Sequence, residues 1–506
     1  MSQEERGSLT MHSLPDELMI KIFQDVVDDA IRDRPHVPYA WVSIMLVCRL
    51  WRSIAIGSPT LWTLVTEAAF PAIDTVLTRS RDAPLTYKLD ILQRSSHEQS
   101  FTERELGVLD LHRIRSYELK CPPDVLMQFL AYSYPRNAPL LQLLHLEVQR
   151  DIPGYAASWD TPLPSLEDLL VFRGSAKLVR ELTAQGPNLR HLNLGYIMPA
   201  LSISSLLHLV SNLPLLQTLH TDGAIGPNER CHSEEFHIQT RGSRPCILRH
   251  LQEFSVDELA RLIVPLLDNI TVPASARTRI YAVVQSQAET LDFVSSWQNH
   301  LSRRLGTIAT VPDLDTCVLR CKEWVQHVQL LPADDTFSLC APQKSRLPSI
   351  YSLYSFLDCN DDGYDAARTL AQLPTFLPLS QVRCLSIDVS LRGLPLFRDA
   401  FRQMVHVERL CTDAAIAVAI LELPREPEDN TSNKPIFPDL TSVTIRSTFD
   451  SGELHAQDIL LLFEIIASRR LIPEIAWLEQ VHVCGPEKAF HECQGHCGVV
   501  ARFEHH

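Results

Sequence analysis

Short leucine-rich runs behind prolines recur along this chain, and no other feature restricts its fold as strongly. Pro139, Pro164, Pro187 and Pro214 stand 25, 23 and 27 residues apart. They lead into L-x-x-L-x-L or a close variant: Leu141/Leu144/Leu146, Leu166/Leu169/Val171, Leu189/Leu192/Leu194 and Leu216/Leu219/Thr221. A period of roughly 20 to 29 residues suits a unit of one short strand and one returning helix, which must stack on its neighbours to bury its apolar side. The segments between agree, because AKLVRELTAQ and ISSLLHLVSNL carry helical apolar spacing while LNL and LHL alternate as strands do. Downstream the period loosens to Leu251/Phe254/Val256, Val382/Leu385/Ile387, Val407/Leu410/Thr412, Leu440/Val443/Ile445 and Leu478/Val481/Val483. Ser255 with Glu258 has the spacing of a capping box opening the helix VDELARLIVPLL. Between residues 274 and 380 no repeat is placed. Residues 222–235 and 423–435 lack apolar periodicity and are expected as surface insertions.

The strand pleat predicts which side chains face solvent, since residues between the leucines point away from the core. These are His145, Asp168, Phe172, His191, Asn193, His220 and Asp222. With neighbouring strands about 4.8 Å apart they would form one polar patch with an aromatic, either a recognition surface for a protein target or a merely solvated face.

Charge and motif content narrow the function classes. The 506 residues hold 46 Lys and Arg against 61 Asp and Glu, a net −15, which opposes nucleic-acid binding through a phosphate backbone. No stretch has the 18 or so apolar residues of a membrane span, and the acidic start does not resemble a secretory signal, so a cytoplasmic or nuclear location is expected. Thirteen scattered cysteines suit buried thiols. GxGxxG, GxxxxGK[ST] and GxSxG are all missing, and no spacing assigns a nucleophile or base, so no enzymatic activity is expected. Residues 358–363 match half of a calcium loop, but Thr369 stands where the bidentate glutamate belongs. The tail gathers His482, Cys484, His491, Cys493, His496 and Cys497 without the paired spacing of a zinc site. No metal and no cofactor are expected.

Ahead of the repeats, LPDELMIKIFQDVVDDA reads as an amphipathic helix, with Leu14, Leu18, Ile22 and Val26 every four residues and Asp16 and Glu17 near its positive end. A proline-containing break leads to a second apolar stripe, Val47, Leu50, Trp51 and Ile54, ended by Gly57-Ser58-Pro59. So small a helical unit leaves apolar residues in want of a partner. Leu14-Pro15, Leu18, Ile22-Phe23, Val47-Cys48, Trp51-Arg52, Pro59 and Leu61-Trp62 together resemble the F-box motif, in the F-box-like form abundant in higher fungi. The resemblance implies docking on a Skp-type adaptor, which joins a cullin-RING ubiquitin ligase. Leu14, Pro15, Leu18, Ile22, Phe23, Val47 and Leu50 would touch the adaptor, while Trp51 and Trp62 hold the module's own core.

The expected fold is α/β: a helical F-box at 12–65, a transitional segment at 66–138, and a leucine-rich-repeat-like curved solenoid of short parallel strands and helices at 139–500. The ladder position of such repeats is filled by Gln149, Gly174, Ile197 and Ala224 rather than asparagine. The expected function is substrate recognition in a Skp-cullin-F-box ligase; a scaffold that binds the adaptor without delivering substrates is the alternative.

Overall fold

The computed structural model describes residues 14–33, 39–93, 111–133, 137–149, 159, 161–226, 246–273, 275–284, 382–389, 398–421, 436–446 and 461, parts of 289–303, and the backbone of strands at 314–322, 325–332, 351–357, 480–484 and 500–503. The chain forms two compact units, Met1–Leu216 and Gln217–His506.

The first unit opens with helix α1 (Asp16–Asp33), a 3-10 helix (Ala40–Leu46), helix α2 (Arg49–Gly57) and a second 3-10 helix (Pro59–Trp62). Two apolar stripes run along α1, and only one is buried: Met19, Phe23 and Val27 are 1–3% exposed. Phe23 lies 5.2 Å from the Trp51 ring, and Trp41 meets Trp62 edge to face at 5.1 Å. Trp62 Nε1 donates to the Ala55 carbonyl at 2.8 Å, so the buried indole leaves no unmet donor. Cys48 Sγ caps α2 by accepting from Trp51 N.

Strand β1 (Leu64–Thr66) follows at once, tied to the helices by Tyr39, whose hydroxyl donates to the Leu64 carbonyl at 2.7 Å. Then come helix α3 (Ile73–Ser80), strands β2 (Leu85–Asp90) and β3 (Ile114–Cys121), helix α4 (Pro123–Ser133), strands β4 (Leu143–Val148) and β5 (Asp168–Phe172), helix α5 (Ala176–Gln185), strand β6 (His191–Gly195) and helix α6 (Ile203–Ser211). From β1 to β6 each strand pairs in parallel with the next. The stretch expected as a transition is therefore corrected: it supplies β2 and β3, which share the sheet with the leucine-rich strands. It escaped the sequence pattern because β3 has no proline-leucine prelude and β2, behind Pro84, lacks the L-x-x-L-x-L spacing of the later strands.

Register explains the repeat. Leu144, Leu169 and Leu192 lie side by side across three strands, as do Leu146, Val171 and Leu194, and all six are at most 1% exposed. Each such side chain stabilises the unit by roughly 1.5–3 kcal/mol through apolar burial. An aromatic stack of Tyr87, Tyr117, Phe129 and Trp159 completes this core. The turns before the strands are laced laterally: Ser165 Oγ donates to the Pro139 carbonyl and Asn188 Nδ2 to that of Pro164.

The second unit contains strands β7 (Thr218–Asp222), β8 (Cys246–Ile247) and β9 (Glu253–Leu259), helix α7 (Ala260–Asn269), strands β10 (Ile270–Thr271), β11 (Arg277–Val284), β12 (Leu314–Lys322), β13 (Val325–Pro332), β14 (Tyr351–Leu357) and β15 (Cys384–Val389), helix α8 (Arg398–Gln403), strand β16 (Arg409–Thr412), helix α9 (Ala414–Leu421), and strands β17 (Ser442–Arg446), β18 (Gln480–Cys484) and β19 (Val500–Phe503). Parallel pairing links β7 to β9, β9 to β11, β11 to β14, and each of β15 to β18 to its successor. The interval without placed repeats departs from the all-parallel expectation: β12, β13 and β14 pair antiparallel, and β12 sits beside β15. The downstream triplets from Leu251 to Ile445 are buried to 2% or less, as the pattern requires.

The capping box is also corrected. Ser255 and Glu258 lie inside β9, the helix begins at Ala260, and Glu258 serves a tertiary contact instead. The calcium-loop segment, Thr369, residues 423–435, residues 227–235 of the other expected insertion, and His491, Cys493, His496 and Cys497 lie outside the described residues. No described helix is long and apolar enough to cross a membrane, and no described group of three or more His, Cys, Asp and Glu could hold a metal.

Candidate functional site

The helical module presents its second stripe to solvent. Leu18, Ile22 and Val26 on α1 are 37–50% exposed, Leu46 and Val47 are 77% and 61% exposed, and Leu50 and Ile56 are exposed on α2. These seven are half of the fourteen exposed large apolar side chains among the described residues. Concentration of this kind makes the face a candidate docking surface, because isolated exposed leucines are ordinary and a cluster is not. Pro15 is exposed and Leu14 half-buried beside them. Phe23, expected among the contacts, is instead in the core at 1% exposure. Leu46, not among the expected contacts, joins the face at the end of the first 3-10 helix, beside Val47.

The outward sheet face of the first unit keeps the alternation the pleat predicted: His145, Asp168, Phe172, His191 and Asn193 are half-exposed between buried neighbours. His145 Nε2 donates to Asp168 Oδ1 at 3.2 Å. The face extends onto strands the sequence reading left out, where Lys88 pairs with Glu118 at 2.8 Å and Lys120 with Glu147 at 2.6 Å. Two leucines also face outward, Leu143 and Leu170, missed because leucine in such a strand is ordinarily core. Phe172 lies against Gly195, where any Cβ would come within 2.3 Å of the ring, and Tyr196 meets it edge to face at 5.2 Å.

His220 and Asp222, expected in the same patch, stand half-exposed on β7 of the second unit. Burial lowers the His220 pKa, favouring the neutral imidazole. Asp222 lies beside Asp257 in register, and burial followed by the Asp222 charge raises the Asp257 pKa. Glu258, 5% exposed, accepts from the Ala224 and Ile225 amides at 2.7 and 2.9 Å. Burial pushes its pKa up to about 7, with Asp222 and Asp257 adding repulsion and the two amides opposing.

A helical module with an exposed apolar face thus runs directly into a parallel sheet. The F-box-like family model matches residues 11–67, so the chain carries an F-box-like domain. F-box domains bind Skp-type adaptors in Skp-cullin-F-box complexes. Comparison with curated proteins finds no match.

Proposed function

We propose that this chain is the substrate-recognition subunit of a Skp-cullin-F-box ubiquitin ligase, acting in the cytoplasm or nucleus. The observation that carries the reading is the exposed apolar face of Leu18, Ile22, Val26, Leu46, Val47 and Leu50 within the F-box-like segment. This face docks on the adaptor. The strands and helices beyond it stack as a leucine-rich-repeat-like solenoid whose outward sheet face holds the target. The chain itself performs no bond chemistry; it raises the local concentration of target lysines near the charged ligase. Support for a fixed geometry between the two faces comes from the joint at Trp62. Arg79 lies 4.3 Å over the Trp62 ring, and Thr86 N donates to the Thr63 carbonyl at 2.9 Å, leaving no free linker between module and sheet.

Affinity capture of the full chain from cells with the proteasome blocked tests the reading. A receptor enriches adaptor, cullin and at least one ubiquitylated protein. Enrichment of adaptor without ubiquitylated cargo supports a scaffold instead, and loss of both refutes the assignment.

A further inference from the structure

We propose that the outward face of β2–β6 takes a basic, extended segment of its protein target, anchored by one large apolar residue on Phe172, Tyr196 and Met198. This rests on the reading of that face as the cargo site.

The face has the anatomy of an interface, with an apolar centre and a charged border. Leu143, Leu170 and Phe172 cross it diagonally and lead to Tyr196 and Met198, which are 47% and 44% exposed. Arg173 lies over the Phe172 ring at 5.5 Å, and its guanidinium donates to the Gln149 carbonyl. Arg173 and Tyr196, which flank Phe172, are both non-glycine residues at positive φ, 59° and 48°.

Charge selects the occupant. Asp90, Glu118, Glu147 and Asp168 face outward against Lys88 and Lys120, and each lysine already pairs with a glutamate. The outward carboxylates outnumber the outward lysines and neither lysine is uncommitted, which favours lysine or arginine in the bound segment. Arg173 keeps those cations on the β2–β4 side. In register, Glu147 stands beside Phe172, and Lys120 and Asp90 continue the same row. At about 4.8 Å per strand and 3.3 Å per residue, cations fall two to four positions from the apolar anchor.

The test is selection of random 12-residue peptides on the purified full chain bound to its adaptor, with the selected peptides measured by fluorescence polarisation. Peptides with a Leu, Met, Phe or Trp and Lys or Arg two to four positions away are expected, with affinity falling at least tenfold as salt rises. Tyr196→Asn with Met198→Ser should weaken them at least tenfold, asparagine being chosen because it tolerates positive φ. Glu147→Gln with Asp168→Asn should weaken them while leaving proteolytic resistance unchanged. Acidic, uncharged or absent consensus overturns the proposal, as does concentration-dependent self-association of the chain abolished by the same variants. Cargo captured from cells separates the two readings. If cargo is lost with the face variants but the peptides are not basic, recruitment stands and the charge argument fails; if cargo survives every face variant, recruitment by this face fails as well.

Discussion

Glu258 offers the sharpest physical test of the second unit. Its carboxylate is 5% exposed, accepts from two amides, and has Asp222 and Asp257 nearby, so the folded pKa stands at about 7 against 4.5 for the free group. A carboxyl whose pKa is raised by folding contributes stability that is present below the unfolded value and lost as pH rises through the folded one. The window is pH 4.5 to 7. At about 1.4 kcal/mol per unit the loss is about 3 kcal/mol in all, of which about 2.5 falls between pH 5 and 8. Glu258→Gln keeps an oxygen for both amides and removes the charge. The variant is expected to match the wild type near pH 5 and to exceed it by about 2–3 kcal/mol at pH 8. Glu258→Ala leaves two buried N–H groups without an acceptor and should cost about 2–4 kcal/mol even at low pH. Urea unfolding at pH 5, 6, 7 and 8, with amide exchange at Ala224 and Ile225 to localise the effect, measures both. If wild type and Glu258→Gln share one pH slope, the charge on Glu258 carries no such cost.

Three other outcomes follow from the packing. Phe23→Ala should unfold the helical module, costing about 3–5 kcal/mol by thermal melting, whereas Leu18→Ala should stay within about 0.5 kcal/mol. Leu192→Ala should cost about 2–5 kcal/mol and lower cellular abundance, while Asn193→Ala on the outward face should change neither. Gly195→Ala drives a methyl into the Phe172 ring at 2.3 Å; a cost of about 1–3 kcal/mol and loss of the Phe172–Tyr196 contact in the aromatic circular dichroism are expected.

The leucine triplets were legible because burial on a sheet has period two and the same three positions recur in register, so Leu144, Leu169 and Leu192 had only one face to occupy. Helix α1 was half legible. Leu18, Ile22 and Val26 form one stripe and Met19, Phe23 and Val27 another, about 100° round the helix, and periodicity alone does not say which faces inward. Tertiary packing decides: Phe23 finds Trp51, and the other stripe is left to solvent. Ser255 and Glu258 carry the spacing of a cap, but propensity yields to the ladder of β9 with β7 and β11, and the true partner of Glu258 lies 33 and 34 residues earlier. The charge pairs of β2–β4 could not be read without strand order, since Lys88 and Glu118, or Lys120 and Glu147, meet only across the sheet.

The central claim is that the exposed stripe of the F-box-like module docks the chain on a Skp-type adaptor. Leu46 and Val47 are 77% and 61% exposed; full burial of such side chains is worth about 1.5–3 kcal/mol each, so removing both should cost about 2–4 kcal/mol of binding. Titration calorimetry of the purified adaptor against the full chain and its Leu46→Ala/Val47→Ala variant measures this directly. The account predicts tight binding by the wild type and a loss of about thirty- to several-hundred-fold in the variant, with an unchanged melting temperature. Equal affinity for the two chains, or no binding by the wild type, would contradict it.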